Sequence, residues 1–71
     1  MFERITFEKD KLAGQACIRG LRIPVYLIVS KVAYGESAEQ ILSDYPDLEP
    51  EDIQQALQYA AWLTKDRVYD E

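Results

Sequence analysis

Histidine is absent from this 71-residue chain, cysteine occurs once, and glycine and proline occur three times each. A lone cysteine, Cys17, can form no internal disulfide, and without histidine there is no Cys/His set to hold zinc. The missing imidazole also leaves Ser30, Ser37 and Ser43 without an activating base. Cys17 follows a small residue in a strand-like stretch, a setting for a packed small hydrophobe rather than a reactive thiol. No glycine-rich phosphate cradle occurs, and the carboxylate pairs Glu36/Glu39 and Glu51/Asp52 stand where helices are expected to begin, which the helix dipole is sufficient to explain. Neither catalysis nor a metal or cofactor is expected.

Long apolar runs are missing too. The longest, Ile23 to Tyr34, is interrupted by Ser30 and Lys31 and is too short to cross a bilayer. The opening "MFERITFEKD" alternates apolar and charged residues and lacks the continuous apolar core of a secretory signal. With a single cysteine, this reads as a cytosolic, soluble protein with no membrane partner. Residues 1–71 form one domain. A chain this short buries only about 60% of the surface its unfolded form exposes, so a second copy is a natural source of extra core, and a homodimer is expected.

Cations are scarce in one half only. Residues 1–35 carry six basic side chains (Arg4, Lys9, Lys11, Arg19, Arg22, Lys31) against three acidic ones, a balance of +3. Residues 36–71 carry ten acids against Lys65 and Arg67, a balance of −8, and Glu36 to Gln58 holds seven carboxylates and no cation. The split suggests two surfaces of opposite sign, suited to contacts between chains or to a charged partner. The alternative is the ordinary variation of small domains.

Periodicity places the elements. Ile5 and Phe7 alternate with Arg4, Thr6 and Glu8, the period of a half-buried strand, and Cys17-Ile18 reads as a second. Arg19-Gly20 is a turn from which "LRI" returns as a third short strand, with Ile18 and Ile23 inward and both arginines exposed at the bend. Val25, Ile28, Val29 and Val32 fall at i, i+3, i+4 and i+7 after Pro24, so a helix is expected there, closed by Gly35. Ser37 with Gln40 makes a capping box for a second helix, which carries Ala38, Ile41, Leu42 and Tyr45 on one face and stops at Pro46. Pro50 opens the longest helix, whose inner stripe is Ile53, Ala56, Leu57 and Ala60. Tyr59, Trp62 and Tyr69 project away from that stripe. They are either an interface strip or, for Trp62, a side chain folded back on the N-terminal strands.

The expected fold is therefore mainly α with a short β element: a three-helix core with a helix-turn-helix outline, preceded by two or three short strands. Such an outline suits DNA, but the first turn of the last helix offers Glu49, Glu51 and Asp52 where a recognition helix needs cations and amides. Any nucleic-acid contact would fall to Lys9, Lys11, Arg19, Arg22 and Lys31 on the strand side.

"GQACIRGLRIPV" followed by "ILSDYPDLEPEDIQQALQYA" resembles the signature of the bacterial family called domain of unknown function 433, over about residues 7–62. Arg19, Gly20, Arg22, Ile23 and Pro24 fall on its first block, and Asp44, Tyr45, Pro46, Leu48, Glu51, Asp52 and Ile53 on its second. The chain departs at Leu21, where threonine is usual, at Ala16, often proline, and at Glu49-Pro50, where a threonine cap commonly stands. The resemblance implies a winged or homeodomain-like form of the helix-turn-helix core and an antitoxin-like member of a toxin-antitoxin system that masks a PIN-like nuclease and represses its own operon. An arginine such as Arg19, Arg22 or Arg67 would then reach into a carboxylate cluster of the toxin, with Tyr59, Trp62 and Tyr69 as further partner contacts. Alternatively Arg22 pairs with Asp44 or Asp52 of the same domain and locks strands to helices.

Overall fold

The computed structural model describes residues 2–65. Two short strands come first, β1 (Ile5–Phe7) and β2 (Ala16–Ile18), followed by three helices, α1 (Val25–Ala33), α2 (Ala38–Asp44) and α3 (Pro50–Thr64). The strands pair antiparallel, with Ile5 opposite Ile18, Thr6 opposite Cys17 and Phe7 opposite Ala16. This register sets Ile5 and Ile18 side by side over the helices. The core draws on every element: Ile5, Ile18, Val25, Ile28, Ile41, Leu48, Ile53 and Ala56 are buried together. Cys17 is buried as well, its thiol donating to the Gln15 carbonyl at 3.3 Å, which is the packed role its neighbours suggested.

The expected third strand shrinks to a single bridge between Cys17 and Pro24, supported by the Ile18 N–H donating to the Ile23 carbonyl at 3.0 Å. Proline has no N–H to extend a ladder, and the chain turns into α1 at the next residue. The capping box of α2 is half formed. Ser37 Oγ accepts from the Gln40 N–H at 3.1 Å, while the Gln40 side chain donates forward to Asp44 Oδ1 at 3.1 Å instead of back to Ser37. Residues 45–49 join α2 to α3, completing the helix-turn-helix outline. No helix among the described residues is long and apolar enough to cross a membrane.

The bend after β2 is a tight turn. Arg19 (φ 44°) and Gly20 (φ 72°) both lie in the left-handed region, and the Leu21 N–H closes the turn on the Ile18 carbonyl at 2.7 Å. Two positive φ values in succession define the type I′ turn, whose twist matches that of paired strands. The turn is tied to β1 by the Arg19 N–H to the Arg4 carbonyl and by the Gly20 N–H to Thr6 Oγ1, both at 2.8 Å. A Cβ at Gly20 would meet Glu8 Oε2 at 3.0 Å as well as the unfavourable φ. Gly20→Ala is therefore expected to cost about 1–2 kcal/mol, the left-handed penalty for an L-residue, read as a lower urea midpoint in circular dichroism. Gly14→Ala, with φ 80° and open space around the new methyl, is the control for backbone strain alone.

Candidate functional site

Three features of the surface bear on function. The first is an ion cluster centred on Asp52. The α3 N-terminus is carried against β1 and the β2 turn, and Asp52 in its first turn is wholly buried. Its carboxylate accepts from Arg19 Nε at 3.0 and 3.2 Å, from Arg19 Nη2 at 2.9 Å and from Arg4 Nη1 at 2.8 Å. It also accepts the Glu49 N–H at 2.8 Å, capping the helix. Arg4 Nη1 reaches Glu49 at 2.8 Å, Arg19 Nη2 reaches the Asp47 carbonyl at 2.7 Å, and the Arg4 N–H donates to Gln55. Burial alone would push the Asp52 carboxyl up, but the bonds from Arg19, Arg4 and the Glu49 N–H outweigh it and hold the group below the usual carboxylate range. The hydrogen bond to Glu49, then that to Asp52, raises Arg4, and Asp52 raises Arg19.

The turn at Arg19-Gly20 forms and both arginines are exposed at it, as the sequence reading has it; what it left open is where the Arg19 guanidinium goes. A third of the Arg19 side chain stays exposed, but its left-handed backbone turns the guanidinium back toward α3, where a two-pronged carboxylate bond awaits it. The pairing of Arg22 with Asp44 or Asp52 does not occur. Arg22 is exposed and makes no ion pair among the described residues, while Asp52 is filled by Arg19 and Arg4. Arg4 and Gln55 join the cluster from positions whose local sequence carries no signal for it.

The second feature is an acidic corner. Lys11 is paired with Glu8 at 2.9 Å, and Lys31 with Glu36 at 3.2 Å, its ammonium also lying 5.7 Å from the Tyr45 ring centre. The bond to Glu36 raises Lys31. Of the six cations in the first half, Arg4, Lys11, Arg19 and Lys31 are thus taken up internally, leaving Lys9 and Arg22 without an ion pair among the described residues. Asp44, Asp47 and Glu51, around the turn from α2 to α3, are exposed and likewise make no ion pair among the described residues. The two-surface picture therefore gives way to one in which, among the described residues, four of the chain's eight cations are held in its own ion pairs. What remains outside is predominantly negative.

The third feature is aromatic. Tyr59 and Trp62 are not a strip facing solvent, because the N-terminal segment wraps over that side of α3. Phe2 meets Tyr59 edge-on at 5.3 Å and Trp62 at 5.6 Å, and Phe7 lies 6.2 Å from Tyr59. Trp62 folds back on the N-terminus yet keeps 43% of its surface exposed. Beside this cluster runs a groove of about 400 Å³ between α1 and α3. Tyr26 and Val29 stand on one wall, Tyr59, Ala60 and Leu63 on the other, and Phe7 closes it from the strand side. No spacing in the sequence points to Phe7, Tyr26 and Leu63, since their convergence depends on how three elements meet. Arg67 and Tyr69, expected partner contacts, lie outside the described residues. Among the described residues no group of three or more His, Cys, Asp or Glu is placed to hold a metal ion.

Known proteins resemble this chain in both sequence and fold. "Uncharacterized protein y4eO" of Sinorhizobium fredii is 41% identical over 58 residues, which cover 82% of this chain but only 26% of that protein. The chain therefore spans about a quarter of the length of this curated relative. The crystal structure of a DUF433 member protein from Anabaena variabilis superposes with a TM-score of 0.77 at 31% identity, covering 90% of this chain and 62% of that one. A family model described as "Protein of unknown function (DUF433)" matches residues 5–60, a span that runs from β1 into α3 and holds both motif blocks and both members of the Arg19–Asp52 pair, so the chain belongs to the DUF433 family.

Proposed function

We propose that this chain is an antitoxin-like protein-interaction domain that binds and neutralises a PIN-like nuclease, with the acidic corner between α2 and α3 as its docking surface. The observation that carries the reading is the fate of the cations: four of the six in the first half are held in internal ion pairs, while Asp44, Asp47 and Glu51 stay exposed. A nuclease must present a cationic surface to its polyanionic substrate, and a folded acidic patch competes for that surface. Arg19 is committed to Asp52, so Arg22 is the arginine of the bend that is left to reach a partner.

The DNA-binding alternative has less support, because among the described residues only Lys9 and Arg22 remain of the five cations expected to meet phosphates. The test uses the purified product of the neighbouring reading frame and a single-stranded RNA substrate. Stoichiometric addition of the chain is expected to stop cleavage, and the double variant Asp47→Lys/Glu51→Lys to need at least about tenfold more protein, a loss of roughly 1.4 kcal/mol in binding. Undiminished cleavage at excess chain, or unchanged inhibition by the double variant, would contradict the proposal. Binding of operator DNA with a steep loss on adding salt would favour the alternative.

A further inference from the structure

One guanidinium spans the connection between α2 and α3. Arg19 Nε and Nη2 hold the Asp52 carboxylate side-on, and Nη2, which carries two hydrogens, also donates to the Asp47 carbonyl at 2.7 Å. The peptide between Asp47 and Leu48 is thereby held at both ends, because the Leu48 N–H donates to the Tyr45 carbonyl at 2.9 Å. Asp52 in turn fixes the Glu49 N–H at 2.8 Å. We infer that Arg19 is a positioning residue for the acidic corner: it fixes Asp47 relative to Glu51 and so sets the spacing of the carboxylates that a cationic partner meets.

This inference deepens the nuclease reading and rests on it. Glu51 lies in the first turn of α3, where the helix fixes its place, whereas Asp47 lies in the connection outside either helix. The turn is anchored by buried Leu48 and by the Tyr45 carbonyl, and Arg19 supplies the hold on its other side. The clamp itself starts from a fixed point, since the Arg19 backbone is in the left-handed turn and its N–H donates to the Arg4 carbonyl at 2.8 Å. A connection free to move must be ordered when a partner binds, a cost that a pre-set one avoids. Arg19 therefore acts on docking through Asp47, while Arg22, three residues on, is the one left to touch the partner.

Cleavage by the neighbouring gene product and amide exchange of the pure chain test this together. Both are read well below the melting midpoint of every variant, where lost stability alone leaves the chain folded. Arg19→Lys keeps a charge opposite Asp52 but brings one nitrogen in place of the guanidinium fork. It is expected to need at least about fivefold more protein to stop cleavage, the scale of ordering one side chain or a short loop on binding. Exchange at the Leu48 N–H should speed up at least about tenfold more than at buried Ala56, whose amide inside α3 reports opening of the whole fold. In the Asp47→Lys/Glu51→Lys background Arg19→Lys should cost no further inhibition, since the carboxylates it positions are gone. An Arg19→Lys chain that inhibits like wild type, while Asp47→Lys/Glu51→Lys does not, overturns the inference and leaves the nuclease reading standing. So does unchanged relative exchange at Leu48, or an equal further loss in the charge-reversed background, which marks a purely structural role. Full inhibition by Asp47→Lys/Glu51→Lys instead removes the docking surface itself, and the inference with it.

Discussion

Asp52→Ala is expected to remove a large share of the domain's stability and to melt well below the wild type. A 71-residue domain has a total stability of roughly 4–11 kcal/mol, and breaking a buried ion pair by removing one partner costs about 3–5 kcal/mol. Asp52 sits at the high end of that range for structural reasons. It has no exposure to water, it accepts bonds from two guanidinium groups, and it caps α3 through the Glu49 N–H. Its removal leaves Arg19 without a carboxylate partner among the described residues and Arg4 with Glu49 alone, and it removes the buried anchor that ties β1 and the β2 turn to α3. Asp52→Asn keeps the shape and should fall between wild type and alanine. Thermal unfolding followed by circular dichroism measures all three; a wild-type melting curve for Asp52→Ala would show that the cluster contributes nothing.

The second large effect is acid sensitivity. Because the Asp52 carboxyl lies below its ordinary value in the folded chain, its contribution is fully present above the unfolded value of about 3.9. Below that pH the unfolded chain binds a proton that the folded chain does not, so stability falls until the folded carboxyl is protonated too. Glu3, lowered by its own backbone bond and by Gln55, acts in the same direction. Arg4, Arg19 and Lys31 are raised, so their contributions are complete at neutral pH and are lost only in strong alkali. The urea midpoint should therefore hold steady from pH 7 to about pH 4 and then drop. Most of that drop should vanish in Asp52→Asn, and an equally steep drop in the variant would assign it to other groups.

The helices were legible because their signals are local. Pro24 and Pro50 mark where α1 and α3 begin, Gly35 follows α1 with φ 95°, and the apolar spacing within α1 picks out Val25 and Ile28, both buried. The strands β1 and β2 showed in the same way. What could not be read locally was the choice between Arg19 and Arg22, since Asp52 lies 33 residues from Arg19 and 48 from Arg4. Only the left-handed turn at Arg19, set against the start of α3, decides it. The aromatic face of α3 left two readings open for a related reason: a helical wheel locates Trp62 opposite the inner stripe, but only the fold shows that Phe2 lies against it, the fold-back alternative. The groove was invisible because its walls come from α1 and α3 and its end from β1, elements whose approach no spacing encodes.

Whether the arginine of the "CIRG" motif is consumed inside the fold is tested most directly by a double-mutant cycle with Arg19→Ala and Asp52→Asn, followed by urea unfolding. If Arg19 and Asp52 hold each other, the double variant is far less destabilised than the sum of the two single variants. Independent, additive losses would contradict the pairing.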